Sequence, residues 1–289
     1  MLANFGKNEE EVNMKWFKRL AVVTAALASV LVLAACGSGS SSSASKTVKV
    51  GIMSTDKEIW TDVQSRLKKE GVDIKLVEFT DYNQPNQALE DGDVQLNAFQ
   101  HQNFLDNWNK KHNTKIVAIG NTYIGPIRAY SNKIKSLKDL KKGDKVSVPN
   151  DPSNEGRSLQ LLAENNIIKL NKAASPTIRD ITENKLDLKI TELDAGQTAR
   201  SLDDVAAAIV NNDIAASANL KPQDAIAVEK INAKSKPWVN FIAAKSSKNK
   251  DNKTYQKIVK AYQTNATAKL IKKVYKGSTL PAWNYNFNK

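Results

Sequence analysis

The chain has 289 residues, with 43 Lys and Arg against 30 Asp and Glu, for a formal charge of +13. A hydrophobic content of 41% and a charged content of 25% describe a globular chain and exclude a disordered or collagen-like one. Two His and one Cys exclude a disulfide framework, and with it any metal site that needs a pair of Cys or a trio of His. At about 150 residues per domain, the length accommodates two buried cores.

The one long apolar run, residues 20–33, has 14 residues, short of the about 20 that cross a bilayer. Lys15, Lys18 and Arg19 precede it and Ala34-Ala35-Cys36 follow. A basic start, an apolar centre and small residues at the end make a secretory signal, residues 1–35. Leu33-Ala34-Ala35-Cys36 resembles a lipobox, which implies cleavage before Cys36 and a thioether-linked diacylglycerol on its sulfur. Glu9-Glu10-Glu11 sits badly ahead of such a signal, so the expected translation start is Met14. Residues 36–45 form the lipidated Cys and a flexible Ser/Gly tether. The expected location is therefore extracytoplasmic, held at the cell membrane by lipid on Cys36. The Lys residues are dispersed and no basic stretch is interleaved with aromatics, so nucleic acid is not an expected partner. A solvated Lys-rich surface facing an anionic envelope accounts for the charge.

From residue 46 the pattern is βαβα. Val48, Val50 and Ile52 alternate as a strand does, and Ile59, Trp60, Val63 and Leu67 recur at helical spacing before Gly71. Strands are expected at 74–79, 94–99 and 115–119, with helices at 84–90 and 103–111. A second series follows: a strand at 145–148, a helix at 156–165, a strand at 188–193, a helix from 202 and a strand at 207–210. One more strand is expected at 238–244, and two helices within 252–276 stop at Gly277. This rhythm implies α/β architecture with largely parallel sheets. Two series and a returning C-terminal segment imply two lobes, 46–127 with 241–289 and 128–240, joined by crossings near 127–132 and 240–246. A cleft between such lobes is where a ligand binds.

Catalytic chemistry is poorly represented. There is no Gly-x-Ser-x-Gly elbow, Walker loop or His-Glu-x-x-His pattern, and the single Cys is assigned to lipid. Asp203-Asp204 fits a helix N-terminus, where acids are favourable. No enzyme activity, cofactor or metal is expected. Binding chemistry is richer. Residues 150–159, NDPSNEGRSL, lead into a helix whose free N–H groups attract anions. Arg157 is expected in its first turn, unfavourable for the dipole unless it grips a carboxylate in a bidentate fork. Phe99, His101 and Phe104 lie where a strand gives way to a helix, with Tyr82 nearby; they are either core or the wall of an apolar side-chain pocket. Asn211 and Asn240 interrupt apolar runs and need hydrogen-bond partners, from the protein or from a ligand.

Cys36 in its lipobox, DYNQPNQAL (81–89), NAFQHQNFL (97–105), GNTYIGPI (120–127), VPNDPSNEGRSLQLL (148–162) and PWVNFIA (237–243) resemble the NlpA/MetQ family. Its members are lipoprotein substrate-binding subunits of methionine ABC importers. The resemblance covers 46–289. It implies a two-lobed periplasmic-binding-protein fold of type II-like topology, two α/β domains joined by two crossing strands. It also implies a monomer that captures L-methionine and delivers it to an ABC permease and ATPase. By the same resemblance Tyr82, Phe99, His101 and Phe104 line the side-chain pocket, Arg157 binds the carboxylate, and Asn211 and Asn240 bind the ligand's polar groups. Phe104 departs from a Tyr frequent in methionine binders, which leaves another amino acid or a small peptide as an alternative ligand. A surface adhesion or signalling lipoprotein is the alternative of a different class.

Overall fold

The computed structural model describes residues 47–287; the signal segment, Cys36 and the tether lie outside the described residues. Strand β1 (Val48–Met53) buries five of its six residues, as a strand covered on both faces does. Helix α1 (Lys57–Lys69) follows, with Ile59, Trp60, Val63 and Leu67 forming one buried stripe. It stops at Gly71, whose φ of +74° no side chain favours. Next come β2 (Ile74–Phe79), α2 (Gln84–Asp91), β3 (Leu96–His101), α3 (Gln102–His112), β4 (Val117–Asn121) and β5 (Tyr123–Ile124). The second series comprises β6 (Arg128–Tyr130), β7 (Lys145–Pro149), α4 (Pro152–Glu164), β8 (Lys169–Leu170), β9 (Ile181–Glu183), β10 (Lys189–Leu193), α5 (Ala195–Thr198), β11 (Ala207–Val210), α6 (Asn212–Ser217) and β12 (Ala227–Val228). The chain returns through β13 (Asn240–Ala244), α7 (Lys253–Tyr262), α8 (Asn265–Val274) and β14 (Leu280–Pro281).

Two five-stranded sheets result, in the orders β2-β1-β3-β13-β4 and β10-β7-β11-β6-β12. In each, three parallel strands are extended by antiparallel ones: β13 against β3 and β4, and β6 against β11 and β12. The passages between sheets run through 122–127 and 229–239. The segments expected as crossings are themselves strands within the sheets, β6 and β13. In the first lobe, Val50, Ile52 and Leu96 pack with Trp60, Tyr262 and Tyr275 on one face, and Leu89, Leu105, Ile116 and Phe241 fill the other. The second lobe closes over Val146, Val148, Leu159, Leu162 and Ile209.

Several expected boundaries shift, each for a local reason. The strand expected at 115–119 is β4 from Val117, because Asn109 captures the preceding backbone: its Oδ1 accepts from Ile116 N–H at 3.2 Å and its Nδ2 donates to Ile116 carbonyl at 2.9 Å. The strand expected at 94–99 is β3 from Leu96, since Val94 N–H bonds to Ala88 carbonyl of α2 instead. Trp238 precedes β13 in a 3-10 turn that contains Pro237. The helix expected from 202 is displaced upstream: Asp194 caps Gly196 N–H at 2.9 Å, and the helical run α5 and 199–203 ends where a start was expected. Asp203 and Asp204 therefore end a helical segment.

The DYNQPNQ and NAFQ segments meet in a buried amide ladder. Asn86 and Gln100 exchange two hydrogen bonds of 2.7 Å, and Asn97 Nδ2 donates to Asn86 Oδ1 at 2.9 Å and to Pro85 carbonyl at 3.0 Å. These amides hold α2 against β3 and so position the residues on either side of each motif.

Beneath the junction of the sheets, Asp56 is 1% exposed and accepts hydrogen bonds from Tyr275 at 2.7 Å and Tyr123 at 3.0 Å. Burial raises its pKa from 3.8 to about 7, against the Tyr275 hydrogen bond and with the help of the Asp213 charge. A folded-state value above the unfolded one means that the stability Asp56 contributes at acid pH is lost as pH rises through about 7. For Asp56→Asn, the melting temperature relative to the wild type should therefore rise between about pH 4 and about pH 7 and level off above that. A difference that stays flat over this range, followed by circular dichroism, would show that the carboxyl titrates normally.

Candidate functional site

The two sheets face each other across a cleft whose first-lobe wall is built at the end of β3. His101 is the N-cap of α3, its Nδ1 accepting Phe104 N–H at 3.2 Å. That bond leaves the ring proton on Nε2, which donates across the cleft to Asn154 Oδ1 at 3.4 Å. Burial, reinforced by the nearby Arg157 charge, lowers the His101 pKa to about 3, so the ring is neutral at physiological pH. Tyr82, Phe99 and Phe104 form a triangle of rings with centroids 6.0, 6.1 and 5.5 Å apart. They belong to a cluster that also takes in Tyr130, Leu202 and Ile214 of the second lobe. The other histidine, His112, stacks on Trp108 with ring centroids 3.9 Å apart and does not line the cavity that His101 lines, so the two imidazoles do not converge.

The second-lobe wall starts from α4, which begins a turn earlier than expected: Asp151 is its N-cap and Pro152 its first residue. Arg157 accordingly sits in the second turn. The helix N-terminus is also filled by the chain's own anion, since Asp151 accepts Asn154 N–H at 3.0 Å, Asn154 Nδ2 at 2.9 Å and Ser153 Oγ at 2.6 Å. The expected anion seat at these N–H groups is thus occupied by Asp151. What Asp151 does instead is fix the Asn154 amide. Asn154 Oδ1 then accepts Asn211 Nδ2 at 2.8 Å, which leaves Asn211 Oδ1 buried with no hydrogen-bond partner.

Arg157 is 4% exposed and already gripped. Its Nε and Nη2 donate to the Glu229 carboxylate at 2.8 and 2.5 Å, and Nη2 donates to Gly125 carbonyl at 3.0 Å. Its Cζ lies 4.9 Å from the centre of the Trp238 ring. Nη1 has no protein acceptor among the described residues. Glu229 also accepts Ile127 N–H at 3.1 Å, so it joins the two passages between lobes as well as holding Arg157. Gly125 cannot carry a side chain here, because a Cβ would lie 2.7 Å from atoms of Asn212.

Helix α6 brings the last polar groups. Asn211 is its N-cap and Asp213, 9% exposed, lies in its first turn. The Tyr82 hydroxyl donates to Asp213 Oδ1 at 2.5 Å, and Thr55 Oγ1 donates to Asp213 carbonyl at 3.1 Å, both from the opposite lobe. Burial raises the Asp213 pKa, and the hydrogen bonds from Tyr82 and from the backbone N–H groups of Asp213 and Ile214, with the Arg157 charge, oppose the rise.

All seven residues singled out as ligand contacts, Tyr82, Phe99, His101, Phe104, Arg157, Asn211 and Asn240, line one cavity that is partly open to solvent. Asn154, Gly125 and Asp213 line it too, and Glu229 stands behind Arg157. Sequence reasoning missed these four. Asp151 followed by Pro152 was a legible capping signal for Asn154; the other three depend on contacts between distant segments.

Residues 48–283 match the NlpA lipoprotein family. The chain is 48% identical to the structure of a nutrient binding protein from Burkholderia cenocepacia bound to methionine, with a TM-score of 0.78 over 82% of this chain and 100% of that one. The substrate binding protein of a methionine transporter from Streptococcus pneumoniae is 42% identical, with a TM-score of 0.78 over 82% and 96% of the two chains. Among curated proteins, the D-methionine-binding lipoprotein MetQ of Escherichia coli K12 is 41% identical over 274 residues, 92% of this chain and 98% of that protein. With its two α/β lobes in the type II periplasmic-binding-protein arrangement, the chain belongs to the NlpA lipoprotein family.

Proposed function

We propose that this chain is a lipid-anchored, extracytoplasmic solute-binding protein that captures L-methionine and delivers it to the permease and ATPase of an ABC importer. The observation that carries the ligand class is the state of the aromatic wall. The Tyr82 hydroxyl is committed to Asp213, both His101 nitrogens are committed to Phe104 N–H and Asn154, and the Gln100 amide is committed to Asn86. Phe99 and Phe104 have nothing polar to offer. A ligand side chain finds no free hydrogen-bond donor on this wall, so an apolar chain is favoured over a polar one. A thioether among aromatic rings also gains sulfur–aromatic contacts of about 0.3–1.5 kcal/mol. At the polar end, Arg157 Nη1 is free to hold a carboxylate and Asn211 Oδ1 to accept from an amine.

The relatives support the reading: one is described as bound to methionine and another as part of a methionine transporter. The Escherichia coli relative carries D-methionine in its name, so the enantiomers need separate titration. A second reading has a structural basis as well. Tyr82 and Phe104 also line a wider groove that continues outward past Trp108, Asp151 and Asp194, with room for a short peptide extending from the pocket.

Calorimetry on protein unfolded and refolded to strip carried-over ligand tests these points. L-methionine should bind below 1 μM, about −8.2 kcal/mol, and more tightly than D-methionine. Glutamine, similar in length but polar, should bind roughly 100-fold more weakly or worse. Equal affinity for glutamine would remove the argument from the wall, and tighter binding of a methionyl dipeptide would select the extended reading.

Arg157→Ala should weaken L-methionine binding by about 2–5 kcal/mol. The same change strands Glu229 in a buried site, so the melting temperature should fall too. Arg157→Lys keeps the charge but not the fork, and should recover stability more than affinity. An affinity unchanged in Arg157→Ala would place the carboxylate elsewhere.

A further inference from the structure

We infer that Asp213 is the counter-charge for the ligand's α-ammonium, making the cleft selective for primary amines and tying amine recognition to lobe closure. The inference rests on the amino-acid reading above and adds the residue that reads the amine.

Arg157 is positive, but its charge is met by Glu229 at 2.8 and 2.5 Å before any ligand enters. His101 is neutral, held so by its Nδ1 bond to Phe104 N–H. Among the described residues lining the cavity, this leaves Asp213 as the carboxyl group facing no cation in direct contact. Its Oδ1 accepts the Tyr82 hydroxyl at 2.5 Å, and the backbone N–H groups of Asp213 and Ile214 also donate to the carboxylate, so every partner it has within the chain is neutral. Two positions before it, Asn211 is 7% exposed and its Oδ1 is buried without a partner. That oxygen cannot be satisfied by turning the amide over, because Asn211 Nδ2 already donates to Asn154 Oδ1 at 2.8 Å and Asn154 is itself locked by Asp151. A carboxylate whose charge no contacting cation meets and an amide oxygen that lacks a donor therefore line one cavity.

An ammonium supplies up to three N–H donors and one positive charge, which matches this pair in number and in sign. A zwitterion placed with its carboxylate at Arg157 Nη1 and its ammonium at Asn211 and Asp213 satisfies both ends. A ligand with a hydroxyl in place of the amine leaves Asp213 uncompensated. An N-acylated ligand brings no positive charge and leaves Asp213 uncompensated as well.

Asp213 is also where the lobes touch. Tyr82 and Thr55 reach it from the first lobe, through its carboxylate and its carbonyl. An ammonium that fixes the Asp213 carboxylate fixes the acceptor of the Tyr82 hydroxyl, so amine binding and closure favour each other.

The test compares L-methionine with 2-hydroxy-4-(methylthio)butanoate, which differs only at the amine, on wild type, Asp213→Asn and Asp213→Ser, each checked for folding by thermal unfolding. Wild type should prefer methionine by roughly 100-fold or more. Both variants should lose roughly 30-fold or more in methionine affinity, while binding of the hydroxy acid changes by less than about threefold. The preference for the amine would then collapse. Equal wild-type affinity for the two ligands overturns the inference without any variant. So does a variant that weakens both ligands alike, which would make Asp213 a closure residue only, and so does a variant that keeps its methionine affinity. Wild type that binds no methionine overturns the ligand reading itself, and this inference with it.

Discussion

A buried guanidinium sets the terms for this molecule. Arg157 sits 4% exposed between two lobes, and an unpaired charge there would cost several kcal/mol. Glu229 meets that cost with a fork of two hydrogen bonds, and the same carboxylate takes the Ile127 N–H. Because Ile127 and Glu229 belong to the two passages between lobes, the ion pair is also the brace of the hinge. The binding site is consequently preorganised: Arg157 presents Nη1 from a fixed position, and its orientation does not depend on the ligand. In the proposed binding mode, a ligand carboxylate adds one contact to an existing pair. Much of the discrimination must come from the rest of the cavity, from the aromatic wall and the acceptors of α6.

The two lobes are joined by contacts that cross the cleft. Tyr82 to Asp213, Thr55 to Asp213 carbonyl, Asn83 to Asp194 and His101 to Asn154 all join one lobe to the other. Each is worth only about 1 kcal/mol net, since water replaces it when the lobes part. Such a set makes the closed form accessible without making it permanent, which is what a ligand-driven closure needs. On the far side, Arg128 donates to Asn212 Oδ1 at 2.6 Å and to Ser278 carbonyl at 3.2 Å, and Asn212 Nδ2 donates to Thr279 at 2.7 Å. The C-terminal segment is thereby tied to the second sheet, even though α7 and α8 pack on the first lobe.

Where a residue's environment was set by its near neighbours, the sequence was readable. The apolar stripe of α1, the strand at Ala207–Val210 and the stop at Gly277 appear as the periodicity implies. Elements of two or three residues, such as β5, β12 and β14, are too short to show a period and exist because a distant strand pairs with them. Helix α4 began early because Asp151 and Pro152 act as cap and first residue, where the polar run suggested a loop. In the site, the aromatic motif and Arg157 stood out, largely through family resemblance. Glu229 did not, because it lies 72 residues from Arg157 and nothing in its local sequence marks it as a partner.

The amide ladder shows why a family motif is a poor guide to contact with a ligand. DYNQPNQ and NAFQH each mix two kinds of residue: Asn86, Asn97 and Gln100 bond to one another inside the first lobe, while Tyr82, Phe99 and His101 line the cavity. The two roles are inseparable in space. Gln100 lies between Phe99 and His101 on β3, and its amide is what fastens α2, and with it the segment carrying Tyr82, to that strand. A change at Asn86 would move Tyr82 relative to Phe99 without touching the ligand. It would also disturb the hydroxyl that Asp213 depends on. Specificity in this cleft therefore resides in a buried polar network as much as in the residues at its surface.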